Sequence, residues 1–234
     1  MASISAVLPA YNEEENLPRT TRATVDTLST LATDFEVIIV DDGSRDGTAA
    51  VAEKLAEEMP RVRLVRHTVN QGYGQALWTG FTSATKDLVF FTDSDGQFKL
   101  DELGRLLPEI ANADLVIGYR APRRDPFIRW LNAFGWNALV TLLFGYTARD
   151  IDCAFKLFRR SVLERVNVQS RGATFSAEFL VRARAAGYRF VEVPVTHLPR
   201  TAGKATGAKP KVIIRAFREL IRFRRDFRSG AGSP

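Results

Sequence analysis

Leu88-Val-Phe-Phe-Thr-Asp-Ser-Asp-Gly-Gln97 is the stretch that decides how this chain folds. Its first five residues read as a buried strand, and the strand ends abruptly at Asp93. Open α/β sheets place their ligands at the carboxyl ends of parallel strands. Three oxygen-bearing side chains follow at alternate positions: Asp93, Asp95 and Gln97. Hard oxygen ligands at this density suit Mg²⁺ or Mn²⁺, which bind through one or two carboxylates and complete their shell with water and phosphate oxygens. A solvated Asp/Gly turn carries the same letters, so the flanking elements have to decide between the two.

Toward the N-terminus the same pattern repeats three times. Residues 3–8 form an apolar strand that stops at Pro9, followed by the loop Pro9-Ala-Tyr-Asn-Glu13 and a helical leucine and alanine spacing over 14–31. Residues 36–40 form a strand apolar on both faces, as parallel strands are, ending in Asp41-Asp-Gly-Ser44. Asp46 or Thr48 can cap the next helix, which runs to Met59 before Pro60. Residues 62–65 form a third strand, and the glycines of Asn70-Gln-Gly-Tyr-Gly74 allow a ligand to approach the backbone before a helix over 75–84 leads back to Leu88. Alternation of this kind predicts a doubly wound, mostly parallel sheet with its crevice at the polar strand ends. The glycines at 72 and 74 do not follow the first strand and lack a third partner, which disfavours a dinucleotide-binding domain.

A length of 234 residues suits one large α/β domain with an appendage. With Cys153 the single cysteine, there is no disulfide framework or thiolate cluster, and a reducing cytoplasm is expected. The N-terminus lacks the charged and apolar regions of a secretory signal. The net charge of +6 is unevenly placed: residues 200–234 carry +8 and residues 1–199 carry −2. Basicity thus belongs to the tail. On a helical wheel Lys211, Arg215, Arg218, Arg222 and Arg225 fall within a sector of about 80°, opposite Ile213, Phe217, Leu220 and Phe227. Such a helix is expected in a membrane interface, its apolar side chains in lipid and its basic face on anionic headgroups. The tail has no aromatic interleaving on its basic face and no nucleic-acid reading module, so nucleic acid is not an expected partner.

In their order and spacing, Val7-Leu-Pro-Ala-Tyr-Asn-Glu-Glu14, Val40-Asp-Asp-Gly-Ser-Arg-Asp-Gly-Thr48, Asn70-Gln-Gly-Tyr-Gly74 and Asp93-Ser-Asp-Gly-Gln97 resemble glycosyltransferase family 2 with its GT-A fold. Within the family the likeness is to the dolichyl- and polyprenyl-phosphate sugar synthases, and it extends over roughly residues 4–225. Val116-Ile-Gly-Tyr-Arg120 resembles their strand ending in a phosphate-facing arginine. Asp150-Ile-Asp-Cys-Ala-Phe-Lys-Leu-Phe-Arg159 resembles the acceptor-side segment, and Glu192-Val-Pro-Val-Thr-His-Leu-Pro-Arg-Thr-Ala-Gly203 the closing loop.

The resemblance implies an α/β GT-A domain over 1–199, with a donor half (1–120) and an acceptor half (121–199), followed by a basic closing loop and amphipathic helix over 200–234. It implies that Pro9, Tyr11, Glu13, Val40 and Asp42 surround the base and ribose. Asp93, Ser94 and Asp95 would lie at the ribose and diphosphate, Asp95 and Gln97 on the metal, and Arg120 and Arg200 on phosphates. Relatives close with R-x-x-G-E-S-K; here the lysine position is Thr206, and Lys204 or Lys209 is the expected substitute. The implied activity is metal-assisted, inverting transfer of a sugar from a GDP-mannose or UDP-glucose type donor to a polyprenyl or dolichyl phosphate. The alternative is transfer to a saccharide hydroxyl, which needs a carboxylate base, for which Asp150 and Asp152 are the candidates. Asp95, Arg120, Arg200 and Asp150 form the expected catalytic set.

Residues 130–148 are free of charge, but Asn132, Gly135, Asn137, Thr141 and Gly145 dilute them. A buried or interface-seated helix is expected there in preference to a membrane span, with Trp130 and Trp136 near the lipid boundary. The expected location is cytoplasmic and peripheral to an anionic membrane, with a membrane partner protein left open. A helix over 176–186 and an edge strand over 190–195 complete the reading. His67 and His197 carry no acid at a telling spacing, although His197 is close enough to Arg200 to reach a phosphate. Glu178 is read either as facing the acceptor crevice or as part of a solvated helix face or a structural ion pair.

Overall fold

The strand β1 (Ala2–Ala10) lies inside a seven-stranded sheet of order β3-β2-β1-β4-β6-β5-β7. The computed structural model describes residues 2–121, 127–200 and 210–229, with side chains for all of these except 127–130 and 210–214. On one side of β1 the chain runs through α1 (Leu17–Leu31), β2 (Ala32–Asp41), α2 (Thr48–Glu58) and β3 (Val62–Arg66), all strands parallel. Then α3 (Tyr73–Ser83) carries it back across to β4 (Leu88–Thr92), parallel to β1 on its other side. The reversal creates a switch point, the place where sheets of this kind hold ligands, and the loops after β1 and β4 meet there.

Beyond β4 the structure adds a short α4 (Leu103–Leu106), β5 (Leu115–Arg120), α5 (Phe127–Phe144), β6 (Phe155–Arg159), α6 (Phe175–Ala185), β7 (Phe190–Val195) and α7 (Pro210–Arg228). β6 is antiparallel to both its neighbours, β4 and β5, and pairs Phe155 with Thr92 at the end that faces the crevice. Sequence periodicity does not announce this strand, because Asp150 to Arg159 reads only as a polar loop entering an apolar run. β7 is an edge strand, as its proline predicts.

The two halves are not independent bodies. Phe81 of α3 packs on Phe91 of β4, Phe158 of β6 and Phe175 and Phe179 of α6, with ring centroids 5.0 to 5.7 Å apart. One continuous core therefore joins residues 1–120 to the residues beyond them, expected as donor and acceptor halves, and Leu220 and Phe223 of α7 belong to it. This corrects the expected lipid face of the tail. Leu220 is 1% exposed, and Phe227 stands edge-on to Phe144 of α5 at 5.8 Å. Phe223 stacks on the same ring at 4.8 Å, and Phe217 meets Trp136 edge-on at 6.2 Å. Arg224 donates to the Leu143 carbonyl at 2.7 Å, fixing the helix on α5. Among the described residues no helix is long and apolar enough to cross a membrane.

At the opposite end of the sheet, Glu36 joins β1, β2 and the loop before β4. Its carboxylate accepts from Ser5 Oγ (2.7 Å), Thr85 N (2.8 Å), Thr85 Oγ1 (2.7 Å) and Arg63 Nε (2.8 Å). Burial acts to raise its pKa, but the guanidinium and the hydrogen bonds outweigh that effect and hold it at about 2, against 4.5 ordinarily. A carboxylate depressed on folding stabilises the native state above its unfolded pKa and loses that contribution as the pH falls through the folded value. Unfolding in urea between pH 6 and 2.5 should therefore show about 2 to 3 kcal/mol of acid-labile stability in the wild type that is missing from Glu36→Gln. Parallel stability curves for the two proteins would refute the assignment.

Candidate active site

Four strand-end loops meet at the switch point, and each is held by side-chain bonds that cross between elements. In the loop after β4, Ser94 is buried and donates through Oγ to the Pro9 carbonyl at 2.8 Å, while its own carbonyl accepts from Thr20 Oγ1 at 3.0 Å. Ser94 thus ties the carboxylate turn to β1 and α1. Gly96 adopts φ +69°, the left-handed conformation that lets the turn reverse. The Gln97 N–H donates to Asp95 Oδ1 at 3.1 Å, and Gln97 Nε2 donates to the Leu198 carbonyl at 3.0 Å.

That last bond is part of a short pairing of residues 97 and 98 with residues 197 and 198. The pairing delivers Arg200, far away in sequence, to the crevice. Arg200 Nη1 lies 3.7 Å from Asp95 Oδ2, and Nη2 forms an ion pair with Glu13 Oε1. Glu13 is itself fixed, its N–H donating to Thr48 Oγ1 at 2.8 Å and its second oxygen accepting from Asn16 Nδ2 at 2.8 Å. His197, read as able to reach a phosphate from beside Arg200, is buried against Phe98, with ring centroids 5.7 Å apart.

Asp42 is also brought to the strand ends, but its carboxylate is directed into the protein. Oδ1 accepts from Gln71 N at 2.9 Å, Oδ2 accepts from Gly72 N at 2.8 Å, and His67 Nδ1 lies 2.7 Å from Oδ1. The carboxylate, expected at the base and ribose, shapes the 70–72 loop. His67 was missed as its partner because 25 residues separate the two. Val40 is fully buried and packs on Gly80 of α3, so only its backbone stands near the strand end. Pro9 is buried in register with Val40, and Tyr11 is half-buried in the loop beyond. Lys204 and Lys209 lie outside the described residues.

Tyr73 donates its hydroxyl to Asp93 Oδ1 at 2.9 Å. Burial, with the adjacent Asp95 carboxylate second, pushes Asp93 up to about 7. Two carboxylates crowded in this way are the setting a divalent cation relieves. Among the described residues no group of three or more His, Cys, Asp or Glu side chains is arranged to hold a metal ion. A carboxylate at Asp95 and the amide oxygen that Gln97 keeps while its Nε2 bonds Leu198 nevertheless fit a hard cation that draws its remaining ligands from water and a diphosphate.

On the β5 and β6 side, Arg120 and Asp150 form a buried bidentate pair: Nε to Oδ2 and Nη2 to Oδ1, both at 2.7 Å. The Arg120 N–H adds a third bond to Oδ2 at 3.3 Å. The carboxylate that sequence offered as a candidate base is therefore the support of an arginine. Below it Lys156, buried within an otherwise apolar strand, donates to the carbonyls of Ile151 and Cys153 and lies 5.1 Å over the Phe91 ring. Burial pulls its pKa below the ordinary lysine value. A lysine inside an apolar run was the signal by which it could have been noticed. The same burial pushes the Cys153 thiol up to about 12, so it is no nucleophile.

The family model described as glycosyl transferase family 2 matches residues 5–166. The chain belongs to glycosyltransferase family 2. Over 97% of its length this glycosyltransferase is 32% identical to a dolichyl-phosphate beta-glucosyltransferase of Trichomonas vaginalis, covering 75% of that protein. Over 84% of its length it is 34% identical to the polyprenol monophosphomannose synthase of Mycolicibacterium smegmatis, covering 78% of it. All of the chain superimposes on 80% of the Mycobacterium tuberculosis glucosyl-3-phosphoglycerate synthase, solved with Mn²⁺, uridine diphosphate and phosphoglyceric acid, at a TM-score of 0.69 and 22% identity. At that identity the likeness establishes the GT-A fold of this family 2 enzyme and nothing finer.

Proposed function

We propose that this enzyme transfers a hexose from a nucleotide sugar to the phosphate of a polyprenyl or dolichyl lipid, with inversion and with the help of Mg²⁺ or Mn²⁺. The observation that favours a phosphate over a hydroxyl acceptor is the bidentate Arg120–Asp150 pair. A hydroxyl nucleophile needs a positioned base, and here both Asp150 oxygens accept from a guanidinium. A lipid monophosphate, with a second ionisation near pH 6, needs none at neutral pH. The names of the two relatives support the same acceptor class.

In this reading a phosphate oxygen of the acceptor attacks the anomeric carbon, the bond from that carbon to the diphosphate breaks, and a nucleoside diphosphate leaves with the electron pair. Arg120, oriented by Asp150, draws the acceptor phosphate to the β5–β6 side. Arg200, held between Glu13 and Asp95, stabilises charge growing on the diphosphate. A cation held by Asp95 and Gln97 would supply Lewis-acid stabilisation of the same leaving group.

The lipid chain of such an acceptor stays in a bilayer, and the molecule has a face suited to meet one. With Leu220 and Phe223 turned inward, the outward apolar residues of α7 are Phe217 and Ile221, 45% and 67% exposed, beside the exposed Arg218, Arg222 and Arg225. On α5, Leu131, Phe134 and Leu142 follow at helical spacing and are 51%, 59% and 80% exposed. Basic and apolar groups side by side suit anionic headgroups.

Transfer assays with UDP-glucose and GDP-mannose test this reading, using a polyprenyl phosphate in anionic vesicles and a short water-soluble prenyl phosphate. The expected result is transfer to both acceptors, with a rate that Asp152→Asn does not detach from any ionisation. The double variant Phe217→Asp with Ile221→Asp should lose about tenfold or more with vesicles only, given about 1.5 to 3 kcal/mol per buried apolar side chain. A rate governed by an ionisation that Asp152→Asn removes would transfer the assignment to a hydroxyl acceptor.

A further inference from the structure

We propose that Glu178 is a positioning residue of the donor site, clamping the turn at 169–172 against the glycine loop at 72–74 and so fixing the loop that Asp42 and Tyr73 share. The inference rests on reading the crevice as the nucleotide-sugar site.

Glu178 stands in the first turn of α6 and is 1% exposed. A carboxylate that deep must be compensated by donors. Oε1 accepts from Gln169 N at 3.0 Å and from Arg182 Nε at 2.7 Å, and Oε2 accepts from Ser170 N at 2.9 Å and Ser170 Oγ at 2.6 Å. Three of these four donors belong to the turn that precedes the helix. The charge therefore folds that turn back on its own helix. A buried ion pair adds little net stability over an apolar pair of equal volume, but it fixes the direction in which the backbone N–H groups must point.

The other side of the turn rests on the glycine loop, backbone against backbone. The Arg171 carbonyl accepts from Gln75 N at 3.2 Å. Gly72 adopts φ +105°, and a Cβ there would lie 2.6 Å from the same carbonyl oxygen. A Cβ on Gly74 would meet Phe175 Cβ at 2.7 Å and the Arg171 carbonyl carbon at 2.9 Å. No flexible side chain cushions this contact, so a shift of the turn shifts the loop. The loop in turn supplies the N–H groups of Gln71 and Gly72 to Asp42 and the Tyr73 hydroxyl to Asp93. Glu178 thus reaches the crevice through two backbone steps while touching no part of it.

The tail helix seats on the back of the same turn. Thr174 Oγ1 donates to the Ala216 carbonyl at 3.1 Å, and the Arg182 guanidinium lies 5.3 Å over the Phe223 ring. α7 therefore backs the clamp as well as carrying the basic surface.

The test is calorimetric titration of the full chain with UDP and with GDP in the presence of Mn²⁺, alongside amide hydrogen exchange and thermal unfolding. Glu178→Gln replaces an acceptor oxygen by a donor facing donors. In folded Glu178→Gln the affinity for whichever nucleotide binds the wild type should fall about tenfold, with donor KM rising in step and acceptor KM unchanged. The Gln71 and Gly72 amides should exchange faster than in the wild type while the β1 and β4 amides keep their protection. If Glu178→Gln does not fold, Ser170→Ala, which removes one of the four bonds, should show the same changes at about two- to threefold. A folded variant with wild-type nucleotide affinity and wild-type protection at residues 71 and 72 would overturn the proposal. If the wild type binds neither nucleotide, the functional reading fails, and the exchange measurement still decides whether Glu178 holds the loop.

Discussion

Replacing Asp95 by alanine should abolish sugar transfer, by about a thousandfold or more, in a protein that still folds. The side chain lies at a strand end, and its bond from the Gln97 N–H at 3.1 Å closes the turn at a cost of about 1 kcal/mol if removed. Melting by circular dichroism should therefore shift by only a few degrees. In the proposed mechanism the loss is of the carboxylate that would hold the cation and of an anion beside Arg200, which Glu13 also pairs. Turnover measured across a Mn²⁺ titration checks the claim. Metal-dependent activity surviving in Asp95→Ala would remove the central premise of the site.

The second large effect is expected at Arg120, and it separates stability from activity. Arg120→Ala leaves the Asp150 carboxylate buried without the guanidinium that accounts for two of its short hydrogen bonds. Breaking a buried pair from one side costs about 3 to 5 kcal/mol, which for a chain of this size lowers the melting temperature by about 6 to 20 °C. Transfer should be lost as well if Arg120 draws the acceptor phosphate as proposed. The double variant Arg120→Met with Asp150→Leu removes both charges at similar volume and should regain most of the melting temperature. Transfer should not return. Near wild-type turnover in the double variant would show that the pair is only structural.

Much of the first 120 residues was legible in the sequence for a simple reason. Parallel strands buried on both faces read as short apolar runs, and the loops that end them must be polar because they line a crevice; Asp93 to Gln97 and Pro9 to Glu13 follow that rule locally. The antiparallel β6 was not legible. The run from Phe155 to Arg159 is apolar at three of its five positions, and nothing local states which way it runs or that it separates β4 from β5. Its direction is set by its neighbours, and with it the position of Asp150 beside Arg120. Individual roles were hidden for the same reason. Asp42 looked like a ligand contact, and only the approach of Gln71, Gly72 and His67 shows that its oxygens face inward. For Glu178 the sequence left a crevice residue, a solvated face and a structural ion pair open, and only Arg182 and the turn at 169–170 closing on it decide for the buried pair.

The tail marks the division most clearly. The sequence by itself determined that residues 211–228 form a helix with one basic and one apolar face, since the hundred-degree turn of the α-helix sorts those side chains without help from the rest of the chain. It also determined the order of the strand-end motifs and hence the family. What covers an apolar face is not a local property, because lipid and protein remove the same surface from water. Only the tertiary structure decided that Leu220 and Phe223 turn inward onto Phe144 and Arg182, leaving Phe217 and Ile221 outside. The aromatic partners on α5 lie some eighty residues earlier, and a helical wheel carries no information about so distant a surface.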